Sequence, residues 1–125
     1  MDDSYMQMLR AYASLLKSIA AKAKVLNQKG LFNDVVDLYN LSVNEIRMTK
    51  KQPQGWSEIY MDYWMTGQLG EELEKTLDYQ DELKRAMGKT PRELESSLKE
   101  SLKLFKEDPF YQNLTYAILK QNGKI

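Results

Sequence analysis

The chain contains no cysteine and no histidine in its 125 residues. Without cysteine there is no disulfide, no thiolate nucleophile and no Cys-ligated zinc or iron–sulfur site. Without histidine the commonest general base and the commonest transition-metal ligand are missing. Net charge is missing as well, since 18 basic residues stand against 18 acidic ones. A sequence-independent nucleic-acid binder depends on accumulated Lys and Arg, so that class is disfavoured. No run approaches the ~18 apolar residues of a membrane-spanning helix. The start, MDDSYMQMLRAY, has neither the basic region nor the apolar stretch of a secretory signal. These absences predict an intracellular, cytoplasmic location, where the sequon Asn113-Leu114-Thr115 is a chance match.

What is present is helical periodicity, and the length suits one domain covering residues 1–125. Prolines 53, 91 and 109 and glycines 30, 55, 67, 70, 88 and 123 fall between periodic segments, where helix boundaries belong. The first segment places Tyr5, Leu9, Tyr12, Leu16, Ile19, Ala23 and Leu26 at alternating spacings of four and three. That is a heptad seam, with Arg10, Ser14, Lys17 and Lys24 assigned to the opposite, polar side. Gly30 is the expected terminator. The second segment carries a stripe of Phe32, Val35, Val36, Tyr39, Val43 and Ile46, while Leu38, Leu41 and Met48 lie off it. Pro53 and Gly55 break the helical pattern beyond Met48.

Residues 70–87 read as one charged helix with Leu73, Leu77, Leu83 and Met87 on its apolar side, closed by Gly88. Thr90-Pro91-Arg92-Glu93 is a start signal: a capping hydroxyl, a proline at the first helical position and a capping-box glutamate. Leu94, Leu98, Leu102 and Phe105 continue that helix, and Asp108-Pro109 starts a last one with Phe110, Leu114 and Ile118. No stretch alternates as a strand does. The expected fold is all-α, a bundle of about five to six helices with long amphipathic helices at the N-terminal end.

The stretch GWSEIYMDYWMTG at 55–67 concentrates the aromatics. On a helical wheel Trp56, Ile59, Tyr60, Tyr63, Trp64 and Gly67 share an arc of about 140°, which is a core face. Met61 and Met65 lie outside the arc, and Met tolerates imperfect partners on adaptable contact surfaces. Two occupants suit that side, another helix of this chain or another molecule. Met61, Met65 and Trp64, with Leu38, Leu41 and Met48, are therefore the candidate partner-contact residues.

Catalytic and metal chemistry find little support. Glu71, Glu74, Asp78, Asp81 and Glu82 recur at helical spacing but sit among Lys75, Lys84 and Arg85, as on a solvated helix face. The bundle metal motif needs histidines that are absent. Serines 96, 97 and 101 have no histidine to activate them and no nucleophile elbow, and Gly67-Gln68-Leu69-Gly70 lacks the lysine of a phosphate loop. The reading is a chain with no independent active site and no cofactor. Charge is unevenly spread: residues 1–30 are net +3 and residues 56–88 net −5. The expectation is that these segments pack together and neutralise each other.

The order of several features resembles a known family. Leu38-Tyr39 is followed by Val43-Asn44-Glu45, then Ile59-Tyr60, Gly67-Gln68-Leu69 and Met87-Gly88-Lys89-Thr90-Pro91-Arg92-Glu93-Leu94. Over about residues 5–98 this is similar to the helical region of the non-catalytic E subunit of class III polyhydroxyalkanoate synthases, and more loosely to phasins. The resemblance implies an accessory protein that binds the catalytic synthase subunit or coats the polyester granule. A rival reading is a structural protomer of a filament, capsid or nucleoprotein complex. In it the heptads and doubly apolar helices serve self-association into a homo-oligomer.

Overall fold

The computed structural model describes residues 3–49 and 73–125, and side chains from residues 7–44 and 73–125. Five α-helices and one 3₁₀ turn make up the described residues, with no strand among them: α1 (Asp3–Val25), α2 (Lys29–Thr49), the turn Leu73–Lys75, α3 (Leu77–Met87), α4 (Pro91–Glu107) and α5 (Pro109–Gln121). The fold is the all-α bundle that the periodicity predicts.

α1 is the centre of that bundle, and α2, α3, α4 and α5 all pack on it. Its seam residues Leu9, Tyr12, Leu16, Ile19 and Ala23 are fully buried, as their spacing requires. Ala13, Ala20 and Ala21 are buried as well, so α1 presents a second inward face built from small side chains. Lys17 belongs to this second face and is only 2% exposed, which corrects its assignment to the polar side. Arg10, Ser14 and Lys24 do keep access to solvent.

α1 stops at a tight cap. The Asn27 N–H donates to the Lys24 carbonyl (3.1 Å) and the Gln28 N–H to the Ala23 carbonyl (2.8 Å), while Asn27 takes φ +57°. This is the six-to-one, five-to-two pattern of a Schellman cap, and asparagine is the residue after glycine best able to hold it. Asn27 thus does what was expected of Gly30, which instead lies in the first turn of α2. Gly123 (φ +68°) closes α5 in the same way, with the Gly123 and Lys124 N–H groups donating to the Lys120 and Leu119 carbonyls.

The segment expected to be one helix over 70–87 is divided. Leu73 plugs into the core from the 3₁₀ turn, and α3 begins only after Thr76. The buried Thr76 hydroxyl donates to the Leu73 carbonyl (2.9 Å) and accepts from the Tyr79 N–H (3.3 Å), which ties turn to helix. The division rotates the apolar face. Tyr79 and Ala86 point inward with Leu83 half-buried, whereas Leu77 and Met87 stand 81% and 69% exposed. Placing those two on the inner side was wrong, because a helix starting at Leu77 carries no phase over from Leu73.

The C-terminal pair follows its sequence signals closely. Thr90 and Glu93 form a reciprocal capping box with Pro91 at the first position. Leu94 and Leu98 are buried, and Leu102 and Phe105 pack partly against the core. Asp108 serves two helices: its N–H donates to the Leu104 carbonyl (3.0 Å) and its carboxylate caps the Phe110 N–H (2.8 Å). Leu114 and Ile118 then return α5 to the core against α1 and α2.

Candidate functional site

Two clusters of polar and aromatic side chains converge on α1. The first joins α1 to α3. Lys17 Nζ lies 3.3 Å from Asp78 Oδ2 and 5.8 Å from the centre of the Tyr39 ring, so one ammonium touches α1, α2 and α3. Lysine is almost never this buried without a partner, and here the two partners are a carboxylate and an aromatic face. The pair is lopsided, since the Asp78 side chain is 67% exposed while that of Lys17 is 3% exposed. Further along α1, Lys22 Nζ donates to the Ser101 hydroxyl at 3.1 Å. Burial lowers the Lys22 pKa from its ordinary value, and the nearby Glu82 carboxylate opposes that fall. Lys17 beside Asp78 and Lys22 near Glu82 set α3 running in the same sense as α1. The basic N-terminal segment and the described part of the acidic segment therefore do pack together.

The second cluster sits where α1 meets the joint between α4 and α5. Tyr12, Phe105, Tyr111 and Phe110 stack in tilted and edge-on pairs, with ring centres 4.8–6.4 Å apart. The Thr115 hydroxyl gives its hydrogen to the Tyr111 carbonyl (2.8 Å), so the Tyr12 hydroxyl donates to Thr115 Oγ1 (2.8 Å). Burial raises the Tyr12 pKa above 10.0, and the Thr115 hydrogen bond offsets part of that rise. This arrangement fixes a helix corner. The Tyr12 hydroxyl holds Thr115, and the Thr115 hydroxyl holds the backbone of α5.

The expected contact residues divide between described and undescribed parts. Leu38 and Leu41 are half-buried and pack against the central core, each keeping some exposed surface. Met48 belongs to α2, but its side chain lies outside the described ones, as do Met61, Trp64 and Met65. The helix expected over 56–67 and the break at Pro53 also fall outside the described residues. Among the described residues no three acidic side chains gather as a metal site would require. Ser97 and Ser101 are half-buried and Ser96 is exposed along α4. A surface notch of about 270 Å³ at the α1–α2 turn is lined by Lys24, Asn27, Lys29 and Phe32, and Lys24 lies over the Phe32 ring at 5.2 Å.

Sequence reasoning missed Lys17, although a signal was present. Ala13, Lys17, Ala20 and Ala21 share a face at helical spacing, and a long side chain set among alanines marks close helix approach better than it marks solvent. Tyr79, Leu83 and Ala86 repeat at four and three, which was the true inner face of α3. Among the described residues no helix is long and apolar enough to cross a membrane. No family model, no curated protein and no solved structure matches the chain.

Proposed function

We propose that this chain is a non-catalytic helical accessory protein that acts by lending apolar helix surface to a larger assembly. The observation that supports this reading most is a surplus of apolar surface. α1 is already enclosed by four helices, yet Leu77 and Met87 at the two ends of α3 stay largely exposed. Each leaves most of its apolar surface in water, and covering that surface with a partner would be favourable. The partner we propose is the one implied by the sequence resemblance, a polyhydroxyalkanoate synthase catalytic subunit or the surface of a polyester granule. On this reading the protein is cytoplasmic and associates with inclusions.

The test is affinity capture of the tagged chain from its native cell, with the recovered proteins and any polyester identified. Leu77→Gln with Met87→Gln, and separately Met61→Gln with Met65→Gln, are compared with the parent in capture and in sedimentation. The reading expects a synthase subunit or polyester in the captured material, reduced by at least one of the variant pairs without loss of helicity. Capture of neither rejects the proposed partner. Concentration-dependent self-assembly abolished by the same substitutions assigns the surface to a homo-oligomer instead.

A further inference from the structure

α3 is bounded by two points of firm attachment. On one side Leu73 is 2% exposed in the core and packs with α2. On the other, past the Gly88 cap, Leu94 is 1% exposed at the start of α4. Between these anchors α3 contributes only two fully buried side chains, Tyr79 and Ala86, and Ala86 has little area to bury. Its most intimate polar contact reaches under it, to the Lys17 ammonium sealed between α1, α2 and α3. A buried ammonium is costly to leave without its carboxylate, whereas Asp78 is well solvated and loses little when the two separate.

We propose that α3 is a strap docked on α1 by charge, which lifts away as a unit between Thr76 and Gly88 while α1, α2, α4 and α5 stay packed. The Lys17–Asp78 contact is its latch. Lifting the strap frees the Lys17 ammonium from its carboxylate and uncovers the strip of α1 beside it. The strap is a property of this chain alone and stands whatever the partner proves to be.

Amide hydrogen exchange on the full chain, followed by mass spectrometry, tests this. In the parent, amides of residues 80–87 should exchange ahead of those in the buried turns of α1 and α4. Asp78→Asn should speed exchange in 80–87 by roughly tenfold or more, the scale of a stranded cation moderated by the exposure of its partner. Exchange in 98–105 should not change. Lys17→Met removes the charge and keeps the length, so it should leave 80–87 as protected as in the parent. The Lys17→Met/Asp78→Asn double variant should fall close to Lys17→Met alone. It separates the latch from Asp78's effect on its own helix end, which both Asp78→Asn backgrounds lose equally. Three results would each overturn the strap: all helices accelerating together or unfolding in Asp78→Asn, no acceleration there, or a double variant as fast as Asp78→Asn alone.

Discussion

α1 and α4 lie against each other and run in opposite senses, since Lys22 meets Ser101 while Tyr12 meets Phe105. Both carry a repeat of large apolar side chains, yet their environments differ. α1 is enclosed: Leu9, Tyr12, Leu16 and Ile19 are buried on one side and Ala13, Lys17, Ala20 and Ala21 on the other. α4 is one-sided, with Leu94 and Leu98 buried and Glu95, Lys99, Glu100 and Lys103 exposed. Helix surface that faces water tolerates any polar residue. Surface that faces other helices admits apolar side chains, and polar ones only where they are paired. The same residue type therefore means different things in the two helices, and lysine shows it best.

The largest effect belongs to the enclosed seam. Leu16→Ala should cost about 2–5 kcal/mol in urea melts, because four neighbouring helices leave little room to collapse around the void. Leu102→Ala, half-buried in α4, should cost clearly less. Equal losses would mean that α1 is no more enclosed than α4. The lysines come next. Lys17→Ala should cost about 1–3 kcal/mol, since it empties the space filled by a buried four-carbon stem and leaves Tyr39 without its cation. Lys99→Ala on the outer face of α4 should stay within roughly 0.5 kcal/mol of the parent. Matching values for the two lysines would return Lys17 to the surface.

The tyrosine corner is the link between these helices. Tyr12→Phe removes one donor and keeps the ring packing, so it should cost about 1 kcal/mol. The buried tyrosines of the corner and of α3 together predict an alkaline limit. Burial is the leading cause that holds Tyr12, Tyr79 and Tyr111 above their ordinary 10.0, so the folded chain keeps these protons longer than the unfolded chain does. Stability from these groups is fully present below pH 10 and declines as pH rises through the folded values. Tyr12→Phe should make that alkaline decline shallower. An unchanged slope would show that Tyr12 is not among the groups responsible.

How legible each region was depends on the same contrast. The stops and starts of α4 and α5 are local chemistry, carried by Thr90, Pro91, Glu93, Asp108 and Pro109, and they appear in the structure where the sequence places them. The seam of α1 is local too, as a spacing. Its second face is not local, because nothing in the spacing of Ala13, Lys17 and Ala20 says how many helices will pack there. α3 was misphased for a related reason: Leu73 and Leu77 are four apart and look like one face until Thr76 ends one element and begins another. The candidate contact residues were legible only as surplus hydrophobicity. Leu38 and Leu41 show how such a surplus is shared, since each gives part of its surface to the core and keeps part outside.

A small effect, on the scale of Tyr12→Phe, is expected at the outer end of α4, where local chemistry acts almost alone. Thr90 Oγ1 accepts from the Glu93 N–H (3.3 Å), and the Glu93 carboxylate accepts from the Thr90 hydroxyl (2.9 Å) and N–H (3.3 Å). These bonds, the hydroxyl first and the backbone second, hold the Glu93 carboxyl below its ordinary 4.5. Its folded pKa is therefore the lower one. The stabilisation it supplies is complete above pH 4.5 and is lost as pH falls through the folded value. Glu93→Gln should consequently differ from the parent at neutral pH and converge with it in acid. Thr90→Ala removes the hydroxyl, and with it the bond from the Glu93 N–H and one of the two bonds to the Glu93 carboxylate, while the backbone N–H of residue 90 can still donate. It should cost about 1 kcal/mol at neutral pH, and the Glu93→Gln difference should shrink in its background. Thermal melts of the four proteins from pH 7 down to pH 3 read both effects. A Glu93→Gln difference that persists undiminished in acid would show that Glu93 acts through packing and not through its charge.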